Sequence, residues 1–274
     1  LLMDVSALAA DSFGAAAEAA ERARRIGGSA SPEGGDGVLY PYPRDVLALD
    51  HHLRCGNTII HRSSMLEDVT GFAQVHVVNM GFYAWSCTLK DPRSWAIINT
   101  ALANGITDLA VWTAGNAGLS LAKLATIVNR RLPRERRLQV HAIVDSDVAP
   151  DIRTRLRLWQ CEILDIFRRD KPVLNPEEVK GLVAARLKRS RRQLDEAAYW
   201  DVTDGWDGVG LLMYRYLAGQ IIRDMGGTST GAAGDAHPFY IVLPVGTGDL
   251  LLGFYLGLRD CERAGLIPEK NSSL

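Results

Sequence analysis

Three short segments of this chain combine residue types that can grip an anion or form a covalent bond. The first, PVGTGDLLLG, places Gly246, Thr247, Gly248 and Asp249 between an apolar, strand-like stretch and a helical pattern. Glycines let the backbone turn so that successive N–H groups point at one anion, and a helix N-terminus adds partial positive charge. The segment predicts a phosphate-binding turn, although such turns also form for purely steric reasons. Asp249 suits this site only if its carboxylate points away from the anion or caps the helix.

The second segment is a turn of small residues, Thr113, Ala114, Gly115 and Asn116, again between a predicted strand and a predicted helix. Its N–H groups and the Thr113 hydroxyl suit a carboxylate, and the Asn116 amide can donate a hydrogen bond to a phenolate-type oxygen. A helix cap with asparagine in a turn would give the same pattern. Taken alone, the segment leaves ligand binding and a structural cap both open.

The third segment, SCTLKDPR, places Lys90 at the start of a predicted helix. A helix N-terminus carries partial positive charge, so it disfavours an ammonium and favours the neutral amine that an imine requires. The alternative is a surface lysine paired with its neighbour Asp91. The segment therefore indicates a reactive amine or an ordinary ion pair.

Together, and in this order, the three segments resemble fold-type-II pyridoxal-phosphate enzymes, the tryptophan-synthase-β-like group that includes threonine synthase and cysteine synthase. The family's (S/T)-x-K-D segment matches Thr88 to Asp91, which implies that Lys90 is the Schiff-base lysine. Its (S/T)-(S/A)-G-N loop matches Thr113 to Asn116, which implies a grip on the substrate carboxylate and a contact from Asn116 to the 3′-oxygen of the cofactor. The glycine turn at 246–249 is implied to hold the cofactor phosphate.

The resemblance covers roughly residue 50 to the end, and the LLLGFYLG stretch after the glycine turn is most similar to threonine synthase. Pro92 departs from the family's usual K-D-R run, but a proline is tolerated in a first helical turn. The chain also ends at Leu274, where family members continue to a Ser or Thr that contacts the pyridine nitrogen. This predicts a C-terminally incomplete version of the fold.

The resemblance implies a lyase or transferase that uses pyridoxal 5'-phosphate for β- or γ-elimination or replacement on an activated hydroxy-amino acid, as in threonine synthase or cysteine synthase. Lys90 is expected to hold the cofactor and later to remove the substrate's α-proton. Two alternatives stay open. One is a catalytically silent paralogue or partner subunit that keeps the scaffold, and the other is an α/β protein whose glycine turns bind a nucleotide phosphate. We expect a homodimer.

Apolar strand-like runs alternate with helical patterns from residue 38 onward, which is typical of a mostly parallel α/β sheet. The predicted fold is α/β and two-lobed, with mostly parallel sheets and helices on both faces. Predicted strands cover 74–79, 108–113, 138–144 and 239–244, and predicted helices cover 5–25, 90–104, 118–130, 151–161 and 250–264.

The predicted organisation has three parts. Residues 1–37 form an N-terminal helix and a flexible linker, since the stretch GGSASPEGGDG is rich in glycine. Residues 38–93 together with 170–274 form a large cofactor-binding domain, and residues 94–169 form a small mobile domain that closes on it.

Charge and composition argue against several other functions. The 274 residues include 31 basic and 32 acidic side chains, a net charge of −1, which gives no footprint for nucleic acid or an anionic membrane. The basic stretches 130–137 and 188–192 lack interleaved aromatic residues, so we predict a solvated loop and a solvated helix face. The six histidines show no metal-ligand spacing.

The four cysteines form no CxxC pair, which indicates reduced thiols in a cytoplasmic protein. Cys87 lies close in sequence to Lys90, and we expect it to be a buried, structural cysteine.

Overall fold

The computed structural model describes residues 59–79, 86–166, 175–190, 192–203, 208–225, 240–245 and 248–267. The predicted helix at 5–25 and the glycine-rich linker lie outside the described residues, as do Gly246 and Thr247 of the predicted phosphate turn.

The described strands and helices follow the alternation predicted from the sequence. The strands are β1 (Ile59–Arg62), β2 (His76–Asn79), β3 (Asp108–Trp112), β4 (Gln139–Asp145), β5 (Glu162–Ile166) and β6 (Tyr199–Asp201). The helices are α1 (Ser64–Thr70), α2 (Asp91–Ala103), α3 (Asn116–Asn129), α4 (Pro150–Leu158), α5 (Pro176–Arg189), α6 (Val209–Asp224) and α7 (Asp249–Arg263). No helix among the described residues combines the length and apolar character needed to cross a membrane.

A parallel sheet with the strand order β5-β4-β3-β6 forms the centre of the fold. Parallel strands need long crossover connections, and α3 and α4 supply them between β3 and β4 and between β4 and β5. β1 and β2 form a separate antiparallel pair. The predicted α/β architecture is confirmed.

Both faces of the parallel sheet are covered by helices. On one face, Leu109 and Val111 of β3 join a buried cluster with residues of α2, α3 and α4. On the other face, Ala110 of β3 and Ile143 of β4 pack with Val183 of α5. Strands buried on both sides read as near-continuous apolar runs, which is why the sequence identified β3 and β4.

Strand β6 changes the expected extent of the small domain. Tyr199–Asp201 pairs with the first three residues of β3, although the predicted small domain ends at residue 169. A boundary at residue 169 would therefore divide one hydrogen-bonded sheet. The sequence analysis did not predict this strand, because three residues are too few to show an alternating pattern.

The strand predicted at 239–244 is wrong for the residues that the structure describes there. Residues 240–245 belong to neither sheet, and Tyr240 and Val242 are exposed, Val242 to 94%. An apolar run of this length predicts burial in a sheet, but a strand also needs a neighbour to complete its hydrogen bonds, and no described strand lies beside this one.

Helices α6 and α7 form a second packed unit next to β1 and β2. Tyr214 and Leu217 of α6 share a buried cluster with Phe254 of α7, and Ile60 and Val78 pack against its edge. The two helices approach closely because glycines of α7 face α6. A Cβ atom on Gly257 would lie 2.7 Å from the Ala218 Cβ and closer still to the Arg215 carbonyl oxygen.

We predict that Gly257→Ala lowers the free energy of unfolding by about 1–3 kcal/mol, because the new methyl group forces α6 and α7 apart. Gly181→Ala is the matched control, since a Cβ at this position in α5 would meet nothing within 4 Å. This control should raise stability by roughly 0.5–1 kcal/mol through reduced backbone freedom of the unfolded chain. Urea unfolding measures both, and equal effects would contradict the packing.

Candidate functional site

Lys90 lies immediately before α2, and its amine is sheltered in the fold. Asp91 is the first residue of the helix and Pro92 falls in the first turn, so the proline is accommodated as predicted. The Lys90 side chain is 24% exposed, and its Nζ lies 3.7 Å from Oδ2 of Asp249. The structure therefore places the amine beside the start of α7, which the glycine turn precedes.

The first residues of α7 explain how an aspartate fits next to a predicted phosphate turn. Gly248 is the N-cap, with a left-handed φ of 91°, and Asp249 opens the helix. Asp249 is 2% exposed, and its Oδ2 faces Nζ of Lys90 and, at 3.9 Å, Nε of Arg93. Two cations thus balance its charge, and the carboxylate is directed at these cations.

Arg93 connects this site to the parallel sheet, a role that the sequence analysis missed. The side chain is almost fully buried, and its Nη2 donates a hydrogen bond to the carbonyl of Val202, directly after β6, at 2.6 Å. A Cβ atom on Gly210, near the start of α6, would lie 2.7 Å from the Arg93 Cγ. The only sequence signal was the basic residue that follows Pro92.

Asp91 fixes the turn that carries Lys90. Its fully buried carboxylate accepts hydrogen bonds from the Ser86 N–H at 2.9 Å, from the Ser86 hydroxyl, and from the Ser120 hydroxyl at 2.6 Å. Ser120 belongs to α3, the helix that follows the small-residue turn. The alternative of a surface Lys90 paired with Asp91 is wrong, because Asp91 is buried and bonded to serines.

Helix α6 holds the same turn from another side. The Tyr214 hydroxyl donates a hydrogen bond to the carbonyl of Leu89 at 3.0 Å. The Lys90 backbone N–H donates to the Thr88 hydroxyl at 3.2 Å. The backbone on both sides of the amine is therefore constrained by side chains from α2, α3 and α6.

The small-residue turn after β3 is partly capped from within and partly open. Thr113 is buried, and its hydroxyl oxygen accepts hydrogen bonds from the N–H groups of Gly115 and Gly118 at 3.0 and 3.2 Å. Ala114 and Asn116 are exposed. The hydrogen bonds among the described residues leave the N–H groups of Asn116 and Ala117 without an acceptor. Thr113 thus supplies the structural cap, and the next N–H groups stay available for an anion.

Position 115 needs a glycine for two reasons: its backbone has a positive φ, and a neighbouring side chain leaves no room for a Cβ atom. Its φ is 151°, and a Cβ atom would lie 2.8 Å from the Ile152 Cδ1 in α4. The small-residue turn therefore rests directly on α4.

The expectation for Cys87 is wrong, because this side chain is exposed. Its φ of 59° is uncommon for a residue with a side chain and costs roughly 1–3 kcal/mol. The hydrogen bonds of Ser86 and Thr88 hold the tight turn that directs Cys87 outward.

We predict that Ser120→Ala lowers the free energy of unfolding by about 1.5–3 kcal/mol, because it removes a hydrogen bond to a buried carboxylate. Ser146→Ala, a change at an exposed serine, should alter it by less than about 0.5 kcal/mol. Urea unfolding of the two variants provides the measurement. A Ser120→Ala protein as stable as the wild type would show that Asp91 does not anchor this turn.

Comparison with solved structures identifies proteins of the same fold. The chain is similar to cysteine synthase from Entamoeba histolytica, with a TM-score of 0.54 and 16% identity over 85% of this chain and 60% of that chain. It is similar to a pyridoxal 5'-phosphate-dependent aspartate racemase, with a TM-score of 0.55 and 12% identity over 82% and 61%. It is also similar to a hydrogen sulfide-producing enzyme from Fusobacterium nucleatum. For this enzyme the TM-score is 0.55, with 16% identity over 85% of this chain and 65% of that chain.

No protein-family model matches the sequence, and comparison with curated proteins gives no match either. The chain spans less than two thirds of the length of each of these similar structures. At these identities the likeness establishes the architecture. The chain has the tryptophan-synthase-β-like fold that the order of its three segments predicted.

Proposed function

We propose that this chain is a pyridoxal-phosphate-dependent lyase or transferase that acts on an activated hydroxy-amino acid by elimination or replacement. The observation that carries the proposal is the position of the Lys90 amine. It is sheltered from solvent, lies 3.7 Å from the Asp249 carboxylate at the start of α7, and sits on a turn fixed to α3.

The residues around Lys90 fit this cofactor. A lysine that bonds an aldehyde must be reachable yet sheltered from water, and a side-chain exposure of 24% satisfies both. The N-terminus of α7 offers N–H groups and partial positive charge to a phosphate. Asp249 would oppose a phosphate there if its charge were uncompensated, but the guanidinium of Arg93, with Nε 3.9 Å from Oδ2 of Asp249, balances it even when the Lys90 amine bonds the aldehyde. Gly246 to Asp249 are therefore proposed as the phosphate site.

When bound, the cofactor supplies an electron-accepting ring that stabilises negative charge at the substrate's α-carbon. Lys90 would hold the cofactor aldehyde through its side-chain amine. The same amine, when free, would accept the proton from the substrate's α-carbon. The ammonium that results would be stabilised by the Asp249 carboxylate, which lies within 4 Å.

The small-residue turn would orient the substrate. The N–H groups of Asn116 and Ala117 have no acceptor among the described residues at the start of α3, where the helix dipole favours a carboxylate. Thr113 keeps the turn in shape, and its hydroxyl hydrogen stays available as a donor. Ala114 and Gly115 let the ligand approach the backbone, and the exposed Asn116 amide would bind the 3′-oxygen of the cofactor.

The type of reaction is proposed from the similar structures. Cysteine synthase and O-ureido-L-serine synthase are both named as synthases of amino acids, at TM-scores of 0.54 and 0.52. These names favour replacement at the substrate side chain, and the resemblance of the GD pair and the LLLGFYLG stretch to threonine synthase implies γ-replacement. The homodimer and the cytoplasmic location stay predictions.

We predict that the purified protein, incubated with pyridoxal 5'-phosphate and passed over a gel-filtration column, keeps an absorbance band between roughly 400 and 430 nm. Lys90→Ala should lose the band, because this substitution removes the amine proposed to bond the cofactor aldehyde. Lys180→Ala is the control; this lysine of α5 pairs with the exposed Glu196 and should leave the band unchanged.

A band of equal strength in Lys90→Ala, or no band in any of the three proteins, would overturn the proposal. Exchange of the α-proton of amino acids in heavy water then separates an enzyme from a silent paralogue. The paralogue would retain the band without exchange at any amino acid tested.

A further inference from the structure

A cavity of about 360 Å³ opens at the base of the parallel sheet, away from Lys90. Its lining includes the end of α4, the start of β5, the end of α5 and the segment that follows α5. The start of β5 marks the amino edge of the sheet, whereas the small-residue turn follows β3 at the carboxyl edge. The cavity is therefore separate from the candidate active site.

Three arginines and one carboxylate line this cavity. Arg157 comes from the end of α4, Arg186 from α5 and Arg192 from the segment after α5, and the carboxylate is that of Glu162. The carboxamide of Gln160 and the hydroxyl of Ser190 add polar groups to the wall. We predicted a solvated helix face at 188–192; Arg192 is exposed as predicted but lies beyond α5, which ends at Arg189.

Two of the arginines are held in place by carboxylates. Nε of Arg186 donates to Oε1 of Glu162 at 2.6 Å, and Nη2 of Arg192 donates to Oδ2 of Asp108 at 3.1 Å. The side chain of Arg157 makes no hydrogen bond or ion pair with any residue that the structure describes. Three guanidinium groups thus face two carboxylates, which leaves an excess of one positive charge and many unused N–H donors.

A buried histidine fixes these two carboxylates from the other side. His141 is fully buried, with Nε2 2.9 Å from Oδ1 of Asp108 and Nδ1 2.9 Å from Oε2 of Glu162. The three side chains lie next to one another on β3, β4 and β5, on the face that α5 covers. Burial opposes charge on Asp108, but the hydrogen bond from His141 and the charges of Arg192 and His141 outweigh it and lower its pKa. Arg186 and Arg192 are therefore positioned before any ligand arrives.

We propose that this cavity binds a small oxyanion, a phosphate or a carboxylate group, between Arg157, Arg186 and Arg192. Guanidinium groups bind planar carboxylates and phosphates through paired N–H donors, and these three converge on one space. The volume is at the lower end of the range for small-molecule sites. The excess positive charge is the feature that an anion would neutralise.

Helix α4 links this site to the small-residue turn. Arg157 lies at one end of α4, and Ile152, one and a half turns earlier, contacts Gly115. Leu156 between them is fully buried against the sheet. An anion bound between Arg157 of α4 and the other two arginines would hold α4 in place. Because α4 contacts the small-residue turn, the anion would then favour one position of the turn that is proposed to bind substrate. This coupling rests on the proposed function, whereas anion binding does not.

The test compares thermal unfolding midpoints in inorganic phosphate, in citrate and in sodium chloride at matched ionic strength. We expect phosphate or citrate to raise the wild-type midpoint in a saturable way, and chloride to have a smaller effect. Arg157→Ala should weaken the apparent affinity by about tenfold or more, because it removes a charged hydrogen-bond donor. Arg157→Lys should retain part of the affinity, since it keeps the charge without the paired donors.

Arg155→Ala is the matched control, because Arg155 is an exposed arginine of the same helix that does not line the cavity. This variant should respond as the wild type does. Equal responses in Arg157→Ala and Arg155→Ala would overturn the proposal, and so would equal midpoints in all three salts. A larger response to phosphate assigns a phosphate ester as the ligand, and a larger response to citrate assigns a polycarboxylate. The absorbance band of the cofactor should persist in Arg157→Ala, so failure of either proposal can be recognised separately.

Discussion

A carboxylate excluded from water must be matched by positive charge, and Asp249 is matched by Lys90 and Arg93. This requirement brings the segment before α2 and the segment that opens α7 to one place, although they are far apart in the sequence. Arg93 extends the contact to the end of β6 through the Val202 carbonyl. The cluster of Lys90, Arg93 and Asp249 therefore sets the position of the amine and the balance of charge at the start of α7. It also joins the sheet to the helices.

Residue type and spacing predicted what is local. The helices around Lys90 and Asn116 and the buried strands β3 and β4 carry their own periodicity, so their bounds differ from prediction by only a few residues. The predictions were wrong or incomplete for segments whose structure depends on pairing with a distant part of the chain. Residues 240–245 are apolar enough for a strand but have no described neighbour, and β6 owes its existence to pairing with β3. The order of the three segments predicted the candidate site, whereas the direction of the Asp249 carboxylate required the fold.

The two proposed binding sites lie at opposite edges of the parallel sheet. At its carboxyl edge, the turn after β3 leaves two backbone N–H groups at the start of α3 without a described acceptor, and Gly115 packs this turn against α4. At the amino edge, buried Asp108 and His141 and partly buried Glu162 form a polar row that positions arginines around an open cavity. The side chains of Arg186 and Arg192 are 41% and 51% exposed, so their ion pairs contribute little net stability, and we infer that these pairs serve to orient the arginines. Helix α4 reaches both edges.

The most direct test of the central claim is to identify the lysine that bonds the cofactor. The protein would be incubated with pyridoxal 5'-phosphate, reduced with borohydride, digested and analysed by mass spectrometry. We predict one dominant pyridoxyl modification, on Lys90. Labelling spread over several lysines, or confined to another lysine while Lys90 stays unmodified, would contradict it.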